Sequence, residues 1–184
     1  MHILHFLLTA SLATAAPLTS RSLAADTVYQ DITNIHTGVL ANQAATSAYQ
    51  GGNIATTLIQ GTPVIGTVGA IHIANRKGFL DAQLSPKFDE ADTQRIFQHV
   101  VDTVGESIPA DVQVLISKKP QFASSGLTEV VIASLKLLLN DHDTFSAAVT
   151  AKAYMGNPAL IAEGTVVVAK IHDAIQNGID VYSA

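Results

Sequence analysis

Cysteine and tryptophan are absent from this chain, and aromatic and charged residues are both scarce. Aromatic residues make up 5% of the 184 residues and charged residues 14%, against about 25% charged in a typical soluble domain. Without cysteine the chain can form no disulfide and carry no thiolate nucleophile. A folded domain must therefore be stabilised by burial, mainly of alanine, valine, isoleucine, leucine and threonine.

Positive charge is scarce as well. The net charge is −5, and lysine and arginine occur only singly or in pairs. Because a basic footprint is missing, we predict no nucleic-acid partner and no binding to an anionic membrane surface. Beyond the N-terminal segment we count no run of about 18 apolar residues, and the C-terminus carries no hydrophobic tail for a lipid anchor. We therefore expect no transmembrane segment and a released product.

The N-terminus has the pattern of a secretory signal. Residues 3–12 form a short apolar core, too short to span a bilayer, and the small residues 13–16 follow it. We predict a signal peptide over residues 1–16, cleaved after Ala15 or Ala16, and a flexible leader over residues 17–25. A buried N-terminal helix is the structural alternative.

Apolar residues recur at helical spacing through residues 26–184, which predicts a single helical domain. In the first helix, which we expect Asp26 to cap, a stripe with spacings of four, three and four residues marks the buried face. This stripe consists of Val28, Ile32, Ile35 and Val39. Tyr49 and the two glycines at 51–52 are expected to end the helix.

Prolines and glycines predict where further helices begin and end. Pro63 and its neighbouring glycines favour a kinked or broken helix over residues 53–83. The Ser-Pro pair at 85–86 is typical of a helix start. Pro109 predicts the end of that helix, and Pro120 the end of a short helix that follows.

The C-terminal part of the chain carries the strongest helical patterns. One helix follows Gly126, and its polar residues 140–143 are expected on solvent or at a kink. Asn157 and Pro158 are typical of the cap and first residue of a last helix. These patterns together predict an all-α fold, an antiparallel bundle of five to six helices.

A constellation for catalysis or metal binding is missing from the sequence. The histidines after the signal show no His-x-x-x-His spacing, and His99 with Asp102 gives too few ligands for a metal. There is no Gly-x-Ser-x-Gly motif or phosphate loop, and Ser124 and Ser125 are typical of a helix cap. We predict no enzyme, no metal and no cofactor, with a small hydrolase as an alternative class.

Two interiors are compatible with these small and branched side chains. Either the side chains pack tightly, or they underfill the centre and leave an elongated apolar cavity that would suit an acyl chain. Low surface charge also favours adsorption to apolar surfaces. The candidate ligand contacts, which are plain core if no cavity exists, are Ile35, Val39, Val100, Val104, Val131, Leu135, Leu138 and Ile171.

Three stretches carry a family resemblance. Residues 28–35 (VYQDITNI) are similar to the first helix of the family, and residues 122–135 (FASSGLTEVVIASL) with 138–148 (LLNDHDTFSAA) are similar to its penultimate helix. Through these stretches residues 26–155 resemble the fungal hydrophobic surface-binding protein A family. This family includes cell-wall galactomannoproteins of the Mp1 antigen type.

The resemblance implies an all-helical bundle at the fungal cell surface or in the medium. It also implies adsorption to hydrophobic surfaces and, as in some members, capture of fatty acids in a central cavity. This chain lacks the long Ser/Thr-rich tail and the anchor of the mannoprotein members. We therefore expect it to be secreted, and either extracellular or loosely associated with the cell wall.

Two functions are compatible with these observations. The first is a secreted non-enzymatic protein that binds hydrophobic surfaces, or fatty acids in an apolar bundle cavity, or both. The alternative is a protein without a cavity, which coats hydrophobic material such as polyester or wax and recruits secreted hydrolases to it. The sequence leaves the oligomeric state open in both cases.

Overall fold

A computed structural model describes residues 22–184, and within this range the chain forms helices and no strand. The predicted signal peptide and most of the predicted leader lie outside the described residues. The predicted all-α fold is confirmed, with six longer helices and one helix of six residues. The helices are α1 (Leu23–Ala48), α2 (Ile54–Leu84), α3 (Glu90–Asp102), α4 (Val104–Ser117), α5 (Lys119–Ser124), α6 (Thr128–Lys152) and α7 (Pro158–Ser183).

The first helix begins earlier than the sequence predicted. Ser22, not Asp26, caps α1, because its hydroxyl accepts a hydrogen bond from the backbone N–H of Ala25 at 3.0 Å. Asp26 lies in the first turn, where the helix dipole favours negative charge, and pairs with Arg95 at 2.7 Å. Residues 23–25, predicted as leader, are helical. The predicted apolar stripe of α1 is buried.

The segment predicted to be a kinked or broken helix is one continuous helix. α2 runs through Pro63, which is exposed and costs the helix only one backbone hydrogen bond. Packing against α1 and α6 offsets that loss. Two of the contacts need a glycine: Gly38 of α1 lies against Ile71, and Gly78 lies against the ring of Phe145. A break in this segment was the wrong prediction, because tertiary packing outweighs local propensity here.

Because α2 is not broken, it is the longest helix of the bundle, with 31 residues. By length and apolar composition, α2 is the one helix in the described part of the chain that could cross a membrane. It contains no uninterrupted run of about 18 apolar residues, because threonine, glutamine and proline interrupt it, so the earlier count still holds. In the bundle, Lys77 of α2 pairs with the buried Asp31 of α1 at 2.7 Å. That α2 stays outside a membrane remains a prediction.

The third and fourth helices divide differently from the prediction. Ser85 ends α2 rather than starting α3, and Asp89 caps α3 by accepting a hydrogen bond from the N–H of Asp92 at 2.7 Å. The predicted single helix is interrupted at Thr103, whose φ of −122° and ψ of −90° are not helical. Pro109 therefore lies inside α4 instead of ending a helix.

At the ends of the later helices, some residues have the predicted role and others do not. Pro120 lies in the first turn of α5, where its missing N–H costs little, and so does not end a helix as predicted. Gly126 adopts a φ of 71°, a conformation that favours glycine, just before α6. Asn157 caps α7 as predicted, accepting a hydrogen bond from the N–H of Leu160 at 3.3 Å.

Within residues 140–143, which were expected on solvent or at a kink, Asp141 and His142 are buried, whereas Asn140 and Asp143 are exposed. Asp141 is 1% exposed and accepts a contact from His72 of α2 at 2.6 Å. The Nε2 atom of His142 lies 3.1 Å from the carbonyl oxygen of Val168 in α7. The expectation of exposure is wrong for Asp141 and His142, because each finds a partner on a neighbouring helix that lowers the cost of burying it.

Five helices close into a ring. α1 packs on α2 and α4, α6 packs on α2 and α7, and α4 packs on α7. The pairs α1–α2 and α6–α7 run antiparallel, as short loops between successive helices require. The remaining neighbours in the ring run parallel: Gly61 lies against Leu127 where α2 and α6 begin, and Gly78 lies against Phe145 further along both.

Candidate ligand-binding site

The helical ring encloses an apolar cavity of about 140 Å³. All five ring helices contribute to its wall, and α3 and α5 each add a phenylalanine ring, Phe97 and Phe122. Valine, isoleucine and leucine dominate the wall. The interior is thus neither solid core nor a polar active-site cleft, and it offers a ligand burial rather than a network of hydrogen bonds.

The eight predicted contact residues all line this cavity. They are Ile35 and Val39 of α1, Val100 of α3, Val104 of α4, Val131, Leu135 and Leu138 of α6, and Ile171 of α7. Six of them are nearly fully buried, whereas Val100 and Leu138 are half-buried. That these residues contact a ligand remains a prediction.

One whole side of the cavity wall was missing from the prediction. α2 contributes Gly61, Val64, Ile65, Val68, Ile71 and Asn75. None was proposed as a contact, because this segment was expected to break. Val64, Val68, Ile71 and Asn75 follow one another at spacings of four, three and four residues, a signal that places them on one face of a helix.

The cavity reaches the surface between α2 and α6. Ile65 of α2 and Val130 of α6 both line it, yet they are 55% and 42% exposed. Around this seam α2 presents an outer face of exposed apolar side chains. This α2 outer face consists of Leu58, Ile59, Ile65, Ile73, Leu80 and Leu84.

Most polar groups in the wall already have partners. The amide of Asn42 donates to the carbonyl oxygen of Val64 at 3.3 Å and to the hydroxyl of Thr67 at 2.8 Å. The amide of Asn75 donates to the carbonyl oxygen of Ile71 at 3.0 Å. These groups stabilise α2 against α1 and leave little for a ligand.

Asp111 of α4 is the exception. Its Oδ1 atom is buried without a hydrogen-bond partner, and the residue lines the cavity. Burial raises the pKa of Asp111 to about 7. Asp111 was not among the predicted site residues, although Val104, Ile108, Asp111 and Leu115 follow the spacing of one inward helix face.

His142 is the other titratable group in the wall. Burial lowers its pKa, and the hydrogen bond to Val168 opposes that shift. The imidazole is therefore held neutral at neutral pH and supports α6 against α7.

Two serine–histidine pairs occur among residues 22–184. The hydroxyl of Ser107 lies 2.9 Å from Nδ1 of His36, and that of Ser146 lies 3.4 Å from Nδ1 of His142. Neither histidine has a carboxylate that would orient it as a catalytic base. The hydroxyl of Ser124, a residue considered in the sequence analysis, donates to the carbonyl oxygen of Gln121.

Metal binding has no geometric basis in the part of the chain that the structure describes. Within it, no three His, Asp or Glu side chains come close enough to hold an ion. His99 instead stacks on Tyr29, with ring centroids 3.7 Å apart, and its Nε2 atom lies 2.8 Å from the hydroxyl of Thr33.

The chain matches one family of known proteins. Residues 25–151 match the family model described as hydrophobic surface binding protein A. Among the curated proteins compared, none matches.

Several solved structures share the fold. One is AfMP4p in complex with palmitic acid, with a TM-score of 0.78 and 19% identity, covering 86% of this chain and 99% of that one. Another is ligand binding domain 1 of the Penicillium marneffei MP1 protein complexed with arachidonic acids, with a TM-score of 0.78, 22% identity and coverages of 88% and 99%. Domain 2 of the same protein, complexed with multiple arachidonic acids, has a TM-score of 0.77, 19% identity and coverages of 90% and 99%.

Proposed function

This chain belongs to the hydrophobic surface binding protein A family, and from that premise we propose that it is a secreted, non-enzymatic protein that takes up fatty acids in its bundle cavity and adsorbs to hydrophobic surfaces. The apolar cavity inside the five-helix ring is the observation that carries the proposal. Two structures of the same fold are complexes with palmitic acid and with arachidonic acids. Fatty acids are accordingly the ligand class assigned to this chain.

The size of the cavity sets a condition on uptake. At about 140 Å³ it is close to a cavity that accepts a benzene ring, at about 150 Å³. A long acyl chain must therefore displace side chains or move helices apart. Each methylene buried contributes about 0.8 kcal/mol, which is the free energy available for that expansion.

The seam between α2 and α6 offers an entry route. Ile65 and Val130 lie both in the cavity wall and on the surface, next to the α2 outer face. A lipid adsorbed with that face could pass into the cavity without crossing bulk water. Surface adsorption and lipid uptake are thus two activities of one side of the molecule.

Native mass spectrometry tests the proposal. The secreted protein is purified without detergent and weighed before delipidation, after delipidation and after addition of palmitic acid. We expect a discrete adduct of fatty-acid mass that can be removed and restored. An apo mass that takes up no palmitic acid would reject the cavity binder.

The alternative, a surface coat that recruits hydrolases, predicts a different pair of results. The protein would adsorb to wax or polyester without taking up lipid in a fixed ratio, and it would increase hydrolase binding to the coated material. The exposed α2 outer face supports adsorption in either case. The number of lipid molecules bound per protein therefore distinguishes the cavity binder from the surface coat.

A further inference from the structure

The cavity wall contains one carboxyl group without a partner. Asp111 is half-buried, with its Oδ1 atom buried and without a hydrogen bond, while Ile108, Val112 and Leu115 lie beside it on the inward face of α4. Leaving such a group unpaired costs roughly 1–3 kcal/mol. Since Asn42, Asn75 and His142 of the wall already have partners, a polar ligand atom that reached Asp111 would recover that cost.

Charged neighbours do not explain the position of Asp111. From α1, His36 bonds Ser107, one turn before Asp111. From α7, the hydroxyl of Tyr182 donates to the carbonyl oxygen of Leu115 at 2.7 Å.

The remaining elements also direct their titratable groups elsewhere. Lys118, between α4 and α5, donates to the carbonyl oxygen of Tyr49 at 2.9 Å, and Lys119 of α5 donates to that of Val181. His99 of α3 is engaged with Thr33, and His142 of α6, across the cavity, with Val168. Across residues 22–184, no cation lies within 4.0 Å of the Asp111 carboxyl.

We propose, on the basis of the fatty-acid binding above, that Asp111 binds the carboxyl group of the ligand through one shared proton. Two carboxylates in contact cannot both be ionised in a low-dielectric site. The bound pair therefore holds one proton between an oxygen of Asp111 and an oxygen of the fatty acid, and carries one negative charge. The acyl chain extends from there along the apolar wall.

Uptake is then coupled to a proton. Burial raises the pKa of Asp111 to about 7, so below about that pH the free protein already holds the proton. Above it, Asp111 and the fatty acid are both ionised when free, and binding must take one proton from solution. Affinity should fall about tenfold per pH unit in this range.

The experiment compares the wild-type protein, Asp111→Asn and Asp102→Asn, an exposed carboxylate of α3, as the control. Equilibrium dialysis measures the affinity for dodecanoic acid between about pH 7 and pH 9. We expect a loss of about tenfold per unit for the wild type and for Asp102→Asn, and a change of less than about threefold over the range for Asp111→Asn. The amide of the Asp111→Asn variant can donate a hydrogen bond to the ionised fatty-acid carboxylate without taking up a proton. The affinity of this variant should therefore not fall as the pH rises.

Calorimetry gives a second measurement that needs no variant. Titrating dodecanoic acid into the wild-type protein at about pH 8, in buffers of different ionisation enthalpy, counts the protons taken up. We expect about one proton per ligand. Uptake of none, or equal pH profiles for wild type and Asp111→Asn, would overturn the role of Asp111 while leaving fatty-acid binding intact. If neither protein bound dodecanoic acid at any pH, the proposed function itself would fail.

Discussion

At the scale of single residues, neighbouring positions on one helix have very different relations to the cavity. Val100 and Val101 of α3 are both half-buried valines, yet only Val100 lines the cavity. Val101 packs against the core without lining the cavity. This pair separates the effect of filling the cavity from the general effect of adding volume.

We therefore predict that Val100→Phe weakens fatty-acid binding about tenfold or more, because the ring occupies space that the acyl chain needs. Val101→Phe should leave the affinity within about twofold. Either change should cost roughly 1–3 kcal/mol of stability through overpacking. Dialysis with palmitic acid measures the affinity, and thermal unfolding the stability. Equal losses of affinity in the two variants would argue that the cavity is ordinary core.

The buried His142 makes stability depend on pH. Burial lowers its pKa in the folded protein, so the folded state favours the neutral imidazole. Its contribution to stability is present above the unfolded pKa of about 6.5 and is lost as the pH falls through the folded pKa. The hydrogen bond that His172 donates to the carboxylate of Asp143 raises the pKa of this exposed histidine, which acts in the opposite direction.

We predict that His142→Gln reduces the loss of stability between about pH 7 and pH 5, because glutamine keeps a donor for the carbonyl of Val168 but does not titrate. His172→Gln, on the neighbouring exposed pair, should make the loss steeper or leave it unchanged. Chemical denaturation across the pH range measures both effects. If the free energy of unfolding of His142→Gln fell between about pH 7 and pH 5 as steeply as that of the wild type, another group would cause the acid sensitivity.

At the scale of helices, the apolar stripe of α1 and the start of α7 at Pro158 were predictable, whereas the effects of Pro63, Pro109 and Pro120 were not. The stripe of α1 and the Asn157 cap of α7 depend on local sequence, and both are found as predicted. Pro63 was expected to kink or break a helix and Pro109 to end one, yet both lie inside continuous helices. A proline removes one hydrogen bond locally, whereas packing along a whole helix is a sum over many contacts that no local rule contains.

The same limit applies to the site. Periodicity identified inward residues on five helices, and these residues do line the cavity. It missed the wall formed by α2, because the helix itself was expected to break. It also missed Asp111, since a single acid on an apolar face becomes conspicuous only when no partner is found for it.

The glycines of α2 give a prediction for this helix. A Cβ atom at Gly66 or Gly69 would have nothing within 4 Å, so neither glycine is needed for packing. Each substitution by alanine should raise the free energy of unfolding by about 0.5–1 kcal/mol, because the helix loses less conformational entropy on folding.

Gly105 of α4 is the control for these two substitutions, because it has no room for a side chain. There a Cβ atom would lie 2.9 Å from the carbonyl oxygen of Val100 and 2.7 Å from Val167. Gly105→Ala should therefore destabilise the protein, by about 1–3 kcal/mol. Urea unfolding measures the difference. Destabilisation by Gly66→Ala would show that the exposed face of α2 makes contacts that the described residues do not supply.

At the scale of the whole molecule, the apolar surface is concentrated on one side. Ile59 and Ile73 of the α2 outer face are 76% and 69% exposed, and the cavity opens beside them at Ile65. On α7, by contrast, Val166 is equally exposed but has no comparable apolar neighbours in its helix. An exposed apolar patch of this kind is expected to meet an apolar surface.

We predict that Ile59→Glu combined with Ile73→Glu abolishes most adsorption to polystyrene or wax, because two charges on the contact face would have to be desolvated. Val166→Glu, which adds a charge elsewhere, should adsorb nearly as the wild type does. Both variants should still take up dissolved palmitic acid, since none of the three residues lines the cavity. Transfer of palmitic acid from a coated surface should slow only in the double variant, because the seam between α2 and α6 would no longer face the surface. If the double variant adsorbed normally, another face would mediate adsorption, and lipid entry at this seam would lose its link to the surface.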